Sequence, residues 1–295
     1  MITKNKAFII VQYVFVAFLV ICCIVPFWLL IASSFTPESV LTQTGYSLIP
    51  KQITFETYEY LWAVSAGVGR AYLMSVIIAA IGVTSSIIMT TFYAYPLSRK
   101  DLPGRNIISF FLFFTMLFNG GLVPTYIVYT RLLHIKDTLW AMIVPGMLMN
   151  AFHVIMMRTY ITSNISDEII EAGRIDGANE LTCLIRIVIP LCKPIMGTLA
   201  LMTFIAYWNN WTNGVYYIQD RKDLFGIQNY MKNVLDSINV LQQQVAKGIN
   251  VDVSQIPSVG IRMALAVVGV LPVLVIYPFF QKSFVKGVTL GSVKG

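Results

Sequence analysis

The densest chemistry in this chain lies in eleven consecutive residues, Tyr207-Trp208-Asn209-Asn210-Trp211-Thr212-Asn213-Gly214-Val215-Tyr216-Tyr217. Planar amides hydrogen-bond hydroxyl groups, and aromatic faces pack on C–H surfaces; together these are the groups that hold a sugar. Were the stretch helical, Asn209, Asn213 and Tyr217 would share one face at four-residue spacing, and Trp208, Thr212 and Tyr216 another. Asn119 and Tyr126 offer the same pair of groups upstream, with Gly120, Gly121 and Pro124 between them to break a helix and free backbone carbonyls. Reactive constellations are missing. The chain has no GxxxxGK[ST] loop to cradle a nucleotide, no HExxH and no GxSxG. Its two histidines, His134 and His153, make neither a triad nor a metal set, and His153 reads as a hydrogen-bonded structural residue. Cys22 and Cys23 are adjacent, and neither they nor Cys183 and Cys192 have zinc-ligand spacing with a histidine. No catalytic and no metal-binding residue is therefore assigned.

The elements that must carry these residues follow from the distribution of charge. Of 295 residues, 57% are hydrophobic and 12% charged, against roughly 25% charged in an ordinary soluble chain. Between the charges lie six charge-free runs, Ala7–Pro37, Ala71–Ser98, Asn106–Thr130, Thr138–Met157, Pro194–Gln219 and Met263–Gln281, each as long as the roughly 18 residues a bilayer span needs. A soluble enzyme, a disulfide scaffold and a disordered chain are excluded. So is an outer-membrane barrel, because these runs are apolar on every face and do not alternate. The expectation is one all-α membrane domain over 1–295, with six transmembrane helices at about 7–32, 71–97, 106–130, 138–158, 194–218 and 261–281. Lys4 and Lys6 before the first run resemble a signal peptide, but the run is too long and lacks a small-x-small cleavage site, so it reads as a retained span. Asparagines at that depth are costly unless they meet a partner or a wet cavity. Facing a translocation path is the preferred reading of 207–217, with aromatic-belt anchoring and interhelical hydrogen bonding as alternatives. For Asn119 and Tyr126 a kinked packing helix stands beside it.

Six spans put both termini on one side. Segments 1–6, 99–105, 158–193 and 282–295 on that side hold 12 Lys and Arg in 63 residues; segments 38–70, 131–137 and 220–262 hold 9 in 83. The positive-inside rule then places both termini in the cytoplasm. Trp28, Trp62, Trp140, Trp208 and Trp211 all fall near expected outer span ends, as an aromatic belt would require. The net charge of +7 is scattered over both sides and fits topology better than nucleic-acid binding. None of the six runs contains Asp, Glu, Lys or Arg, which leaves His153 as the one titratable candidate at depth, a structural histidine in preference to a proton relay, and uphill transport would draw its energy from another subunit.

The longest segment on the terminal side, 163–193, is too charged to enter the bilayer and too patterned to be slack. Ser166 is a candidate N-cap with Asp167 and Glu168 in the first turn, Gly173 and Gly177 loosen the chain, Asp176 is placed to cap a second helix, and Pro190 to end it. Within it, Glu171-Ala172-Gly173, three residues, Gly177, nine residues and Ile187-x-Ile189-Pro190 resemble the EAA loop, EAA-x3-G-x9-I-x-LP, of bacterial ATP-binding-cassette importer permeases. Gly173 replaces a small residue and Ile189 a leucine. The likeness extends along most of the chain and is strongest to the carbohydrate-uptake branch, on the side of the maltose transporter's smaller permease: Ser34-Phe35-Thr36-Pro37, Tyr95-Pro96-Leu97-Ser98-Arg99 and the tail from Gln281 to Gly295 carry it. Met116 to Tyr126 is similar to permeases for complex, often acidic, oligosaccharides of Gram-positive bacteria.

That resemblance implies an oligosaccharide importer in the bacterial cell membrane. This chain would pair with a homologous second permease and a cytoplasmic ATPase dimer, and an extracellular lipid-anchored sugar-binding protein would deliver the substrate. ATP and magnesium would bind in the ATPase, and no cofactor in this chain. Glu171, Ala172, Gly173, Asp176, Gly177 and Ala178 would dock into the ATPase, with Lys286 and Lys294 on a second docking element unless they are simply solvated lysines. The outer loop, 220–258, has Ile227, Met231, Val234, Ile238, Leu241 and Val245 spaced as one face of an amphipathic helix, and the resemblance turns it toward the binding protein. Packing of that stripe on the partner permease or the bilayer is the alternative. Import of a peptide or osmolyte by the same machinery is the alternative for substrate, and a membrane-embedded enzyme is the rival from another class.

Overall fold

Charge-free runs with few helix breakers become long helices, and breakers inside them become bends. A computed structural model describes residues 6–64, 67–247 and 258–290. In chain order they form α1 (Lys6–Ser34), α2 (Glu38–Thr44), α3 (Glu56–Val64), α4 (Val68–Ser98), α5 (Arg105–Leu117) and α6 (Leu122–Ile127), which runs into a π-helical turn, Val128–Leu132. Next come α7 (Leu139–Ile143), α8 (Ala151–Asn164), α9 (Asp167–Ile175), α10 (Glu180–Cys183), a second π turn (Leu184–Val188) and α11 (Ile189–Leu191). The last are α12 (Lys193–Trp208), α13 (Thr212–Tyr217), α14 (Ile227–Ala246) and α15 (Ser258–Leu290). No strand occurs among the described residues.

Three of these helices contain stretches long and apolar enough to cross a membrane: Phe8–Ser34, Val68–Ser98 and Val259–Phe279. Two further segments qualify as bent pairs, Arg105–Leu117 with Leu122–Leu132 (113°) and Glu180–Leu191 with Lys193–Trp208 (79°). The first bend falls at the expected Gly120-Gly121, where Gly121 has φ +90° and Asn119 Oδ1 accepts from its N–H at 2.8 Å.

Two expected spans are not continuous helices. Over 138–158 the chain breaks between α7 and α8: Gly146 adopts φ +71° after Pro145, and Asn150 Oδ1 starts a new helix by accepting from Phe152 N at 2.9 Å. Over 194–218 the helix stops at Trp208, and Asn210 Oδ1 accepts from Asn213 N at 3.0 Å to start α13. Asn209, Asn213 and Tyr217 therefore do not share one helical face.

The chain forms two compact units, Met1–Val68 with Met231–Pro272 and Gly69–Tyr230 with Val273–Gly295. In the first, Leu61, Ile238, Ile261, Ala264 and Leu265 form the core, with Met231, Val234 and Leu235 packed on it. The middle of the α14 apolar stripe, Met231, Val234 and Ile238, thus packs with residues of α3 and α15 of the same chain. Glu38 holds the start of α15: its carboxylate accepts from Val259 N at 3.0 Å and Gly260 N at 2.9 Å, two donors that a helix N-terminus leaves without intrahelical partners. Helix α1 has no buried residue between Phe8 and Leu30. An apolar helix so exposed suits lipid or a neighbouring subunit.

The second unit has two cores. One gathers Ala94, Tyr95 and Leu97 of α4 with Val154, Met157, Ile170, Leu184, Val188 and Leu199. The other gathers Ile78 and Ala79 with Met142, Ile143, Tyr207 and Tyr217. Trp208 is 2% exposed, its ring 6.0 Å from Tyr72 and 5.7 Å from Phe204. It is therefore a packing residue, and the expected aromatic belt loses it; Trp28, Trp62, Trp140 and Trp211 stay exposed.

Candidate functional site

The segment resembling an EAA loop folds as a tight helical hairpin. Helix α9 begins after Ser166, whose side chain makes no capping bond, with Asp167 and Glu168 in the first turn. It closes through two hydrogen bonds, Gly177 N to Arg174 O at 3.0 Å and Ala178 N to Gly173 O at 2.9 Å. This 5→2 and 6→1 pair requires a left-handed residue after the cap, and Gly177 supplies it at φ +84°. A Cβ at Gly177 would meet nothing within 4 Å, so glycine is demanded by the backbone and not by crowding. Asp176 is the C-cap of α9, contrary to its expected role as an N-cap. Asn179 caps α10, accepting from Thr182 N at 2.8 Å. Nor does Pro190 end the second arm. It sits in the first turn of α11, where no N–H is needed, and the chain bends by 79° only around Cys192.

The six docking candidates divide by exposure. Glu171, Ala172, Asp176 and Gly177 are exposed, and Ala178 is half-buried against the α4 core. Gly173 faces inward: a Cβ there would stand 2.7 Å from Ile187 Cδ1 and 3.5 Å from Cys183 Sγ, so its smallness lets the second arm close on the first. Ile175, at 86% exposure, stands out on the same surface and was not singled out from the sequence. Its signal was an isoleucine on the opposite side of α9 from the buried Ile170. Lys286 lies on the last turns of α15, and Lys294 lies outside the described residues.

A set of charges fastens the hairpin to the end of α4. Arg174 donates from Nε to Glu180 Oε1 at 2.6 Å and from Nη2 to Asp101 Oδ2 at 3.1 Å. The Tyr95 hydroxyl donates to Glu180 Oε2 at 2.7 Å, and Lys100 Nζ to Asp167 Oδ2 at 3.0 Å. Arg99, 8% exposed, stands 3.3 Å from Asp101 and 3.6 Å from Asp167; these are ion pairs without hydrogen-bond geometry. Donation from Tyr95, then from Arg174, holds the Glu180 carboxyl below its ordinary value, and Arg174 does the same for Asp101. The Arg174 guanidinium is pushed up in turn by Glu180 and Asp101.

In the amide-rich stretch the side chains separate. Asn213, 6% exposed, donates to Met142 O at 3.4 Å and Pro145 O at 3.3 Å. Tyr217 is buried and stacks on half-buried Tyr126 with ring centroids 5.8 Å apart. Asn209 and Asn119 are exposed, and Asn209 Oδ1 accepts from Gln228 Nε2 at 3.4 Å. His153 is buried, its Nδ1 3.5 Å from Thr203 Oγ1. Below this stretch, Asp137 Oδ1 collects the N–H groups of Gln219, Asp220 and Arg221 at 2.6, 2.9 and 3.4 Å. Desolvation opposes them, but these donors prevail and the Asp137 carboxyl lies below its ordinary value.

Residues 84–290, which include the whole hairpin, match the family described as binding-protein-dependent transport system inner membrane component. The chain belongs to that family. It is a permease subunit of a membrane transport system, a multi-pass membrane protein and not an enzyme. Over 99% of this permease and 100% of the relative, it is 34% identical to the polygalacturonan/rhamnogalacturonan transport system permease protein YtcP of Bacillus subtilis. Protein LplC of Bacillus subtilis is also 34% identical, over 92% of this permease and 90% of that protein. A solved structure, of a bacterial ABC transporter involved in the import of the acidic polysaccharide alginate, superposes with a TM-score of 0.79 at 29% identity, covering 96% of this permease and 99% of that chain. Transport systems of this kind bring together a partner permease, an ATPase and a substrate-binding protein.

Proposed function

We propose that this permease is one half of the translocation path of an ATP-driven oligosaccharide importer, and that residues 163–193 are the lever through which ATP acts on it. The observation that carries the reading is the exposed hairpin, which presents Glu171, Ala172, Ile175, Asp176 and Gly177 together on a structured scaffold. Full-length similarity to a permease named for polygalacturonan/rhamnogalacturonan transport and to a transporter of the acidic polysaccharide alginate supports the substrate class, and charged oligosaccharides are the first to test.

In this reading six spans place both termini in the cytoplasm. The partners are a homologous permease, a cytoplasmic ATPase dimer and a lipid-anchored extracellular binding protein. ATP and magnesium stay in the ATPase. Its closure draws the docked hairpins together and rocks the spans from inward-open to outward-open. Lys286 and Lys294 belong to a second docking element, and the polar side of α14 faces the binding protein. Asn119, Tyr126 and Asn209 offer polar and aromatic groups to the sugar, while Trp208, Asn213 and Tyr217 shape the wall behind them.

The test is a complete complex in lipid vesicles, with binding protein and a panel of neutral and acidic oligosaccharides, and ATP hydrolysis as the readout. Stimulation by an oligosaccharide is expected. Stimulation by peptides or osmolytes alone would overturn the substrate assignment.

A further inference from the structure

A lever must be fastened to what it moves. The α9–α10 hairpin continues by backbone into α12, but its side chains reach a different helix. Three carboxylates on or beside it are tied to α4 and the turn that follows: Glu180 to Tyr95, Asp167 to Lys100 and Arg99, and Asp101, in the turn itself, to Arg174. These links join residues 67 to 85 positions apart in sequence.

Beneath the charges, Ile170 and Leu184 are buried with Ala94, Tyr95 and Leu97 of α4. Beside them the packing is incomplete. A cavity of about 440 Å³ opens there, lined by Phe92, Pro96, Leu102 and Leu181 together with Arg174 and Glu180. The bridges therefore stand beside both a packed apolar contact and an open cavity. Arg174 is central: one guanidinium bonds a carboxylate of the hairpin's second arm and another of the α4–α5 turn, so it closes the hairpin and attaches it at once. Single exposed ion pairs contribute little, whereas charges that share partners in a network with a buried arginine hold a geometry.

We propose that Arg174 and Glu180 are positioning residues that lock the coupling hairpin to helix α4, so that hairpin and α4 move as one body when the ATPase pulls. The lock rests on the reading of 163–193 as the ATPase lever. It adds a second route of force, sideways into α4, to the backbone route into α12. Loss of the lock leaves docking intact and lets the hairpin move without carrying α4.

The complete complex in vesicles decides this, with ATPase co-purification, ATP hydrolysis and substrate uptake measured on the same preparation. Arg174→Ala and Glu180→Ala are expected to keep the ATPase bound and hydrolysing while uptake per ATP falls by roughly five-fold or more. Glu180→Gln keeps an acceptor for Tyr95 and loses the charge, and Arg174→Lys keeps the charge and loses the fork; both should fall between wild type and alanine. If an alanine variant does not accumulate in the membrane, these two carry the test alone. Unchanged uptake per ATP in every variant would overturn the lock. So would loss of ATPase binding in Arg174→Ala, which would make Arg174 a docking residue. Gly177→Trp serves as the control for the underlying reading: if that variant keeps both ATPase and uptake, the lever assignment itself fails, whatever Arg174 does.

Discussion

The hairpin at 163–193 and the amide-rich stretch at 207–217 are both dense in functional residue types, yet the fold treats them oppositely. The hairpin turns its buried side, Ile170, Gly173 and Leu184, toward α4 and its own second arm, and leaves Glu171, Ala172, Ile175 and Asp176 exposed. In the other stretch Trp208, Asn213 and Tyr217 are spent on internal packing and hydrogen bonds, while Asn209, Trp211 and Tyr216 stay exposed. A motif defined by spacing around a required backbone turn keeps its outward surface, because the turn fixes which residues point out. A cluster defined by composition has no such constraint, and its amides take different partners: Asn213 the carbonyls of Met142 and Pro145, Asn209 the amide of Gln228.

The largest effect that separates the two regions should come from Gly177. Gly177→Trp is expected to abolish ATPase co-purification and uptake. Gly177→Ala, with open space around the new Cβ, should cost only the left-handed backbone strain of about 1–2 kcal/mol and retain binding. Next, Trp208→Ala should destabilise by about 3–5 kcal/mol, seen as a lower unfolding temperature of the purified complex. Ile175→Ala should move stability by no more than about 0.5 kcal/mol and still weaken ATPase binding, which a pull-down would detect. A stable Trp208→Ala variant with altered substrate affinity would break the comparison.

A smaller effect distinguishes the two asparagines. Asn213→Ala leaves the Met142 and Pro145 carbonyls without their amide donor and should cost about 1–3 kcal/mol of stability. Asn209→Ala should leave stability unchanged and raise the KM for uptake. The smallest effect concerns acid. Folded-state values of Glu180 and Asp101 are depressed, so the stability they contribute is full above their unfolded values and is lost only as pH falls through the lower folded ones. Hydrogen-exchange protection of α9 and α10, corrected for intrinsic rate, should therefore hold from about pH 7 to about pH 5, above the ordinary carboxylate range. Loss of protection in that interval would show that these carboxylates are not held as described.

What could be read from sequence was what is local. Gly120 and Gly121 announced a bend because glycine tolerates φ values that side chains resist, and Gly177 announced a turn for the same reason. The α14 helix was legible from its apolar period, although which surface covers that stripe was not. The break at Val144–Asn150 was marked by Pro145-Gly146 but passed over because the run around it is charge-free, whereas Asn209-Asn210-Trp211 contains no glycine or proline to mark a stop. Asp176 and Asn179 are both good capping types, and only the φ of Gly177 decides that α10 starts after the second. Tyr95, Asp101, Arg174 and Glu180 were invisible as a group, because their partnership depends on folding segments 73 and 85 residues apart onto each other.

The bond from Glu38 to the start of α15 crosses 221 residues of sequence. A ribosome releases Glu38 long before it makes Val259, so the carboxylate and helices α1 to α3 must wait while most of the chain is made and inserted. The first unit therefore closes only once Val259 and Gly260 have been made. Truncation before α15 would leave Leu61 of α3 without Ile261, Ala264 and Leu265, the residues it packs with.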